Sequence, residues 1–537
     1  MKTLPMSFSS CMKSRRAVTL LLAIFFLPIF FETESFSLRA EPVDATTTAE
    51  QPLSVVRVNA TDQPWDFFHP WSKHAPYSRQ ALGAVLPGNK VLVTAELVAN
   101  ANYVELEKAE SGEKVAATVD VVDYEANLAL LKPNDAAFLK GIKPLDTGDA
   151  LVGDRVAVWQ LETTGALLIT DALLTTVEVT RYPIDDTSLL IYRLTSSLQY
   201  REGSFSVPIV KNGKLIALLM RYDTRSQNVD AIPAPVIEHF LNDAASAANA
   251  SNAETVTNET AAEYGGFPRA GMAFAALRDP QLRRYVGLNG GNANGTSGGV
   301  YITDTQKNSP AEKAGLREGD VLLAIGDKPI DQDGNYVDPR YGKLSLVNLI
   351  SLKRNGEKVP FKIFRDGKTS QVEVTLAHRA ASDYVIEPYT IDRQPRFYVL
   401  GGVVLQELSR QFLKEWGADW QKKAPERFVY LDRYQSELFS DEDENSHRRV
   451  VIVSQVLPSS STVGDEQFSG VVVKAINNMP LKNLADVAAA LQHPVDGFHK
   501  IELEEAPHLI FLDPKQIDAD NETLMKNYGL PSLSKLK

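Results

Sequence analysis

Residues 298–330, GGVYITDTQKNSPAEKAGLREGDVLLAIGDKPI, decide the fold. An apolar, β-branched run opens the stretch, and a small helix starts after Ser309-Pro310. Turns fall at Gly315-Leu316 and Gly319-Asp320, and Val321–Ile325 reads as a second strand. Residues 448–481, RRVVIVSQVLPSSSTVGDEQFSGVVVKAINNMPL, repeat the order strand, helix, strand with a poorer match. Each stretch is followed by an amphipathic helix candidate, Leu344–Leu352 or Asn483–Leu491, and then by a strand. Ile325 and Ile476 stand one small domain apart, so the simplest explanation is a duplicated unit of roughly a hundred residues.

The core of the first stretch, SPAEKAGLREGDVLLAIGDKPI (Ser309–Ile330), resembles a PDZ domain. The resemblance implies a peptide-binding loop at Ala270, Gly271, Met272, Ala273 and Phe274 that leads into a strand edge. A PDZ domain takes up an extended peptide as an added strand, with loop amides on the terminal carboxylate. Residues Leu344 to Leu352 would form the facing wall. The second stretch resembles the C-terminal PDZ of two-PDZ Deg proteins of the plant and fungal type. GGVVLQELSRQFLKEWGADW (Gly401–Trp420), VVIVSQVL (Val450–Leu457) and the run-on HRAASDYVIEPY carry that likeness. Its groove loop is expected at Leu400, Gly401, Gly402 and Val403.

Upstream, short β-type runs separated by Gly, Asp and Asn turns fill residues 80–240, among them Lys90–Val93, Val115–Val122, Leu128–Leu131 and Lys214–Met220. Such spacing points to a closed or sandwiched all-β unit, and Pro235–Leu241 reads as its closing helix. This unit resembles the trypsin-like domain of HtrA/Deg serine proteases. VLVTAELVANA (Val91–Ala101) stands where the family has T-N-x-H-V. DYEANLALLK (Asp123–Lys132) stands where it has D-x-x-x-D-L-A-L-L, and REGSFSVPIVKNGKLIALL (Arg201–Leu219) where it has R-G-N-S-G-G-A-L-V. Val152-Gly153-Asp154 matches the family's V-G-D turn. The likeness covers about residues 80–515.

The protease chemistry is missing from these positions. A triad needs a hydroxyl, an imidazole to take its proton and a carboxylate to orient the imidazole. The histidine place holds Leu97, the aspartate place holds Asn127, and Ser204 alone remains at the nucleophile place. Leucine accepts no proton, so turnover is expected to fall on the order of 10⁴- to 10⁶-fold. Glu202 and Phe205 replace the glycines that shape the oxyanion site. A register shift by one puts Glu96 at the base place, but a carboxylate is no imidazole and Asn127 is unaffected. His69, His74 and His239 lie outside the motifs and read as surface or packing residues.

Other constellations are poorer. Asp146-Thr147-Gly148 is a single copy of a triplet that needs a partner carboxylate, and reads as a turn. Asp331, Asp333 and Asn335 superficially suggest a calcium loop, but its glycine is misplaced and no Glu sits at position twelve. Neither a metal nor a cofactor is expected.

The chain has 537 residues, 44% of them apolar, and a net charge of −12 with both signs interspersed, which argues against nucleic-acid binding. Lys13, Arg15 and Arg16 precede an apolar run from Ala17 to Phe31, read as a secretory signal that exports the chain to a periplasmic or other extracytoplasmic space, cleaved or kept as an anchor. Cys11 precedes that run, so a processed chain would hold no thiol.

The expected architecture is mainly β: a trypsin-like double β-barrel followed by two PDZ domains of the α+β, partly open barrel type. The segments are a signal peptide at 1–40, a flexible leader at 41–62, the trypsin-like domain at 63–241 and a linker at 242–263. The PDZ domains follow at 264–380 and 394–515, with a tail at 516–537. WDFFHPW (Trp65–Trp71) reads as an aromatic cluster that either packs on the barrel or forms an oligomer contact. The resemblance implies trimer-based assembly, with unfolded or C-terminal peptides, and an active HtrA/Deg relative, as partners. The expected role is a pseudoprotease acting as chaperone or adaptor in protein quality control; residual endopeptidase activity through Ser204 is the alternative.

Overall fold

Alternation decides the first strand: in Val55–Asp62 the residues Val56, Val58, Ala60 and Asp62 point inward, and the residues between them are less buried. The computed structural model describes residues 54–162, 164–184, 187–198, 205–251, 264–288, 298–435, 448–506 and 508–536. The signal segment 1–40 and Ser204 lie outside them.

Two closed barrels of six strands come first. β1 (Val55–Asp62), β2 (Tyr77–Leu86), β3 (Lys90–Val93), β4 (Ala101–Glu107), β5 (Lys114–Asp123) and β6 (Leu128–Pro133) close in the order β1-β2-β3-β6-β5-β4. Close approach at the β2–β3 contact requires Gly83, where a Cβ would stand 2.2 Å from a Val91 methyl. β7 (Arg155–Leu161), β8 (Leu167–Arg181), β9 (Ser188–Ser196), β10 (Pro208–Lys211), β11 (Lys214–Asp223) and β12 (Asn228–Pro233) close in the order β10-β11-β12-β9-β8-β7. This is the double-barrel, trypsin-like fold that the sequence led us to expect.

Two boundaries differ from expectation. β1 falls inside the expected leader and pairs with both β2 and β4, because its alternating Val and Ala side chains fill the first barrel. α1 (Ala234–Ser251) runs ten residues into the expected linker, since the Ala-rich stretch after Leu241 favours helix. Residues 252–263 lie outside the description.

The first PDZ sheet follows, with β13 (Met272–Ala276) at its edge, then β14 (Val300–Thr305), β15 (Val321–Ile325) and the strands Lys358–Arg365 and Lys368–Thr375. Ser309 caps the short helix Pro310–Lys313 through a bond from the Glu312 N–H. The second PDZ sheet is longer. Its central strands Val451–Val456 and Val403–Glu407 lead to Phe397–Leu400 and then to Ser534–Lys535. The expected tail therefore belongs to this sheet. Its helix Pro514–Tyr528 is capped by Asp513, ends at Gly529 with φ of 63°, and buries Ile517 and Leu524.

The Trp65–Trp71 segment does not pack on the barrel. It reaches across from the β1–β2 connection and docks on the second PDZ unit. Phe67 joins a core with Leu408, Phe412 and Phe428, and Trp71 joins one with Phe397 and Leu457. The Gln406 and Gln455 amides donate to the carbonyls of Phe67 and Phe68 at 2.9 and 2.7 Å. No helix among the described residues is long and apolar enough to cross a membrane.

Candidate catalytic cleft and peptide groove

The chain leaving β3 makes one 3₁₀ turn, Ala95–Leu97, and this turn carries the position read from the sequence as the histidine place. Leu97 is fully buried and belongs to the apolar core of the first barrel. The aspartate place sits in the tight turn between β5 and β6. There the Asp123 carboxylate accepts the Ala126 N–H at 2.8 Å, and Asn127 takes a left-handed φ of 53°. The Asn127 side-chain oxygen accepts the Glu96 N–H at 3.0 Å. Its amide nitrogen is buried without a hydrogen-bond partner. A neutral amide bonded to a backbone N–H and an alkyl side chain in the barrel core thus stand at the two positions that the sequence reading assigned to the triad.

Beyond the undescribed residues 199–204 the chain returns at Phe205, which packs on the first barrel with the Arg79 guanidinium 4.7 Å from its ring centre. Ser206 is buried with φ of 57°, and its hydroxyl accepts the Thr94 N–H at 2.9 Å.

Two acidic groups line the same region. Burial raises the Glu96 carboxyl, opposed by Arg79, whose guanidinium also donates to the Glu96 carbonyl. Asp62 is buried with neither carboxylate oxygen hydrogen-bonded. Burial pushes it up to about 6, opposed by Arg79 and aided by Asp392. Sequence reading missed Asp62 and Arg79; the inward register of Asp62 in β1 was the available signal. Three histidines noted from sequence engage other partners: His69 bonds Asp66 at 2.8 Å, His74 lies 3.5 Å from Glu415, and the His239 ring stacks on Phe267.

Among the described residues β13 pairs only with β14 and forms the edge of the first PDZ sheet. Gly271 has φ of 70°, and a Cβ there would lie 2.3 Å from the Ser309 Cβ, so only glycine lets the loop cross the helix start. Ala270 and Gly271 carbonyls accept the Ala311 and Gln306 N–H groups at 2.8 and 2.9 Å. A cavity of about 240 Å³ lies along this loop, lined by Phe267, Met272, Phe274, Leu346, Val347 and Ile350 among others. The loop Ala270–Phe274 and part of the expected wall Leu344–Leu352 therefore face one apolar groove. The helical turn in that wall is shorter than expected, Asn348–Ser351, because Gly342–Ser345 is paired as a strand.

Groove and cleft are joined by polar contacts. Arg269 donates to Tyr384 at 2.8 Å and to Glu125 at 3.1 Å, and Glu125 also takes His378 at 3.1 Å. Tyr264 bonds Asp123 at 2.6 Å. The turn that places Asn127 is thus held by residues flanking the first PDZ unit.

At the second expected loop, Gly401 and Gly402 form the hairpin between Phe397–Leu400 and Val403–Glu407. Val403–Glu407 pairs on its other side with Val451–Val456, and Phe397–Tyr398 with Ser534–Lys535. The edge expected to receive a peptide at Leu400, Gly401, Gly402 and Val403 is already occupied by the chain's own strand. The Gly401 N–H is likewise taken, by Asn521 at 3.0 Å.

Asp331 caps its own turn by accepting the Asp333 and Asn335 N–H groups, each at 2.9 Å, and its carboxylate meets Lys343. Asp146-Thr147-Gly148, expected as a turn, instead runs extended beside Leu215 in a parallel bridge, with the Gly148 N–H donating to the Leu215 carbonyl and the Leu215 N–H to the Asp146 carbonyl.

Comparison with known proteins places these units. A PDZ domain model matches residues 271–376 and a second PDZ domain model matches 386–534. Protease Do-like 2, chloroplastic, of Arabidopsis thaliana is 25% identical over 486 residues, covering 89% of this chain and 74% of the relative. Protease Do-like 4, mitochondrial, of the same plant is 25% identical over 377 residues, covering 70% and 68%. Among solved structures, an HtrA-type protease AlgW with decapeptide aligns at 17% identity and a TM-score of 0.44, covering 62% of this chain and 96% of that one.

Proposed function

Because this chain belongs to the HtrA/Deg type, with two PDZ domains behind a double-barrel domain, we propose that it is a peptide-binding pseudoprotease of protein quality control. The observation that carries the reading is Leu97, an alkyl group sealed in the barrel core where the family's base belongs. Asn127, bonded to Glu96, supports it. With no proton acceptor at Leu97, Ser204 has nothing to activate it there.

The binding site of this reading is the groove at Ala270, Gly271, Met272, Ala273 and Phe274. An unfolded segment or a C-terminus adds to the β13 edge and sets an apolar side chain against Met272, Leu346 and Ile350. Self-assembly through the barrel domain is part of the same proposal, because Ile169 and Leu173 lie exposed on one face of β8 with Leu151 and Val152 exposed nearby. Export rests on the Lys13–Phe31 pattern.

The test is cleavage of reduced casein by the purified chain and by its Ser204→Ala variant. Neither is expected to cleave. Cleavage by the parent that the variant loses would overturn the reading and establish an endopeptidase with another base.

A further inference from the structure

A cavity of about 440 Å³ opens where the connector between the two PDZ units meets the second one, lined among others by Glu387, Arg393, Arg396, Glu407, Arg449 and Lys535. These six side chains carry four positive and two negative charges, a cationic surplus within a chain of net charge −12. The two carboxylates are shared among the three arginines. Glu387 takes Arg393, Arg396 at 3.2 Å and Arg449 at 3.6 Å, while Glu407 takes Arg396 at 3.2 Å and Arg449 at 3.9 Å. Lys535 has no ion pair among the described residues.

Arg449 is the most buried of the cations, its side chain 5% exposed. It donates to the carbonyls of Arg448 and Ser382, yet its Nε is buried without a hydrogen-bond partner. Burial holds this guanidinium below its ordinary value. Glu407 and Glu387 oppose that effect, and Arg396 and Arg393 add to it more weakly. A buried cation left short of acceptors is costly, and an entering anion relieves the cost.

We infer that this cavity binds a small molecule bearing a compact dianion, a phosphate or paired carboxylates. The Arg393 and Arg396 guanidinium forks and Lys535 take the charged head, and Arg449 supplies the field behind them. Guanidinium forks match both head groups in two-point geometry. The volume lies in the range of small-molecule pockets, and Phe67, Pro395 and Leu408 give an apolar wall for an organic body.

The test is calorimetric titration of the full-length protein with pyrophosphate and, in a separate arm, with succinate, alongside melting curves. Binding of pyrophosphate alone assigns a phosphate ligand, and binding of succinate alone assigns a dicarboxylate. Arg393→Gln and Lys535→Gln are each expected to weaken that binding about tenfold, the loss of one charge-assisted hydrogen bond, and to remove the ligand's rise in melting temperature. Arg393→Lys should fall between, keeping the charge and losing the fork. The proposal fails if neither probe binds. It fails equally if the variant carrying both Arg393→Gln and Lys535→Gln, melting like the parent without ligand, binds as tightly.

Discussion

The side-chain oxygen of Asn127 accepts the backbone N–H of Glu96 at 3.0 Å, so the aspartate place is tied to the loop of the histidine place without an imidazole between them. In an active triad the carboxylate orients a base. Here the amide braces a turn whose next residue, Leu97, is part of the core. Both side chains have structural work in the fold, a bond for Asn127 and core packing for Leu97, and each makes a measurable prediction.

Asn127 contributes a bond and a backbone geometry that different substitutions separate. Asn127→Gly loses the bond to Glu96 but tolerates the φ of 53°, at a cost of about 1 kcal/mol. Asn127→Ala loses the bond and strains the backbone, adding roughly another 1 kcal/mol. Urea unfolding should therefore rank the parent above the Gly variant and Gly above Ala. The reverse order for Gly and Ala would mean that backbone geometry contributes nothing there.

Restoring the missing groups should not restore the enzyme. Leu97→His places an imidazole in a fully buried apolar site and loses the packing of a leucine, a change on the order of 3 kcal/mol. The double variant Leu97→His, Asn127→Asp is expected to melt below the parent and to leave reduced casein intact. Cleavage by a double variant as stable as the parent would show that those two positions alone had silenced the site.

Asp62 makes a pH prediction whose sign is fixed. Burial raises its carboxyl to about 6, above its unfolded value, so the folded protein holds the proton more tightly. Its contribution to stability is then greatest in acid and falls as pH rises from about 4 through about 6. Asp62→Asn abolishes that loss. The variant should gain on the order of 2 kcal/mol over the parent at neutral pH and little in acid, as read from melting curves across pH. A gain independent of pH would assign the effect to something other than ionisation.

The legible parts of the fold were those with local signals. Ser309-Pro310, the Gly319-Asp320 turn and the apolar run Val321–Ile325 each state their structure within a few residues, and Leu97 and Asn127 could be read from neighbouring motifs. The signals at the C-terminus were equally local, with Asp513-Pro514 at the helix start and Gly529 past its end. They were overlooked because a mostly polar stretch does not advertise Ile517 and Leu524 as core. The docking of Phe67 and Trp71 had no local signal. Those aromatics sit more than 300 residues from Gln394, Gln406 and Gln455, which bond their segment, and only the folded chain brings them together. Asp62 did have a local signal, its inward place in the alternation of β1, but that strand was read as part of the leader.

The aromatic clasp is expected to be cooperative with the second PDZ unit. Phe67→Ala removes a buried ring packed with Leu408 and Phe412, at a cost of about 3–5 kcal/mol. That exceeds what the carbonyl bonds from Gln406 and Gln455 can supply. Residues 63–76 should then open in limited proteolysis and lose amide protection while β3 and β6 stay protected. Uniform loss across both barrels would instead mean that the clasp is part of a single unfolding unit.

The first groove gives the sharpest test of binding. Ile350 sits on the wall opposite Met272, and Ile350→Glu would put a charge where an apolar peptide side chain is expected. Anisotropy of a labelled peptide with an apolar C-terminal residue should show binding to the parent. The Ile350→Glu variant should bind at least about tenfold more weakly. Amidating the peptide terminus should weaken binding as well, since the loop N–H groups near Gly271 would lose their anion. Substitutions at Gly401 should leave this peptide's affinity unchanged, because the strand edge beside it is already paired with the chain's own Phe397–Leu400. Equal loss from both grooves would place the peptide on the second PDZ unit too, and would require its own strand to be displaced on binding.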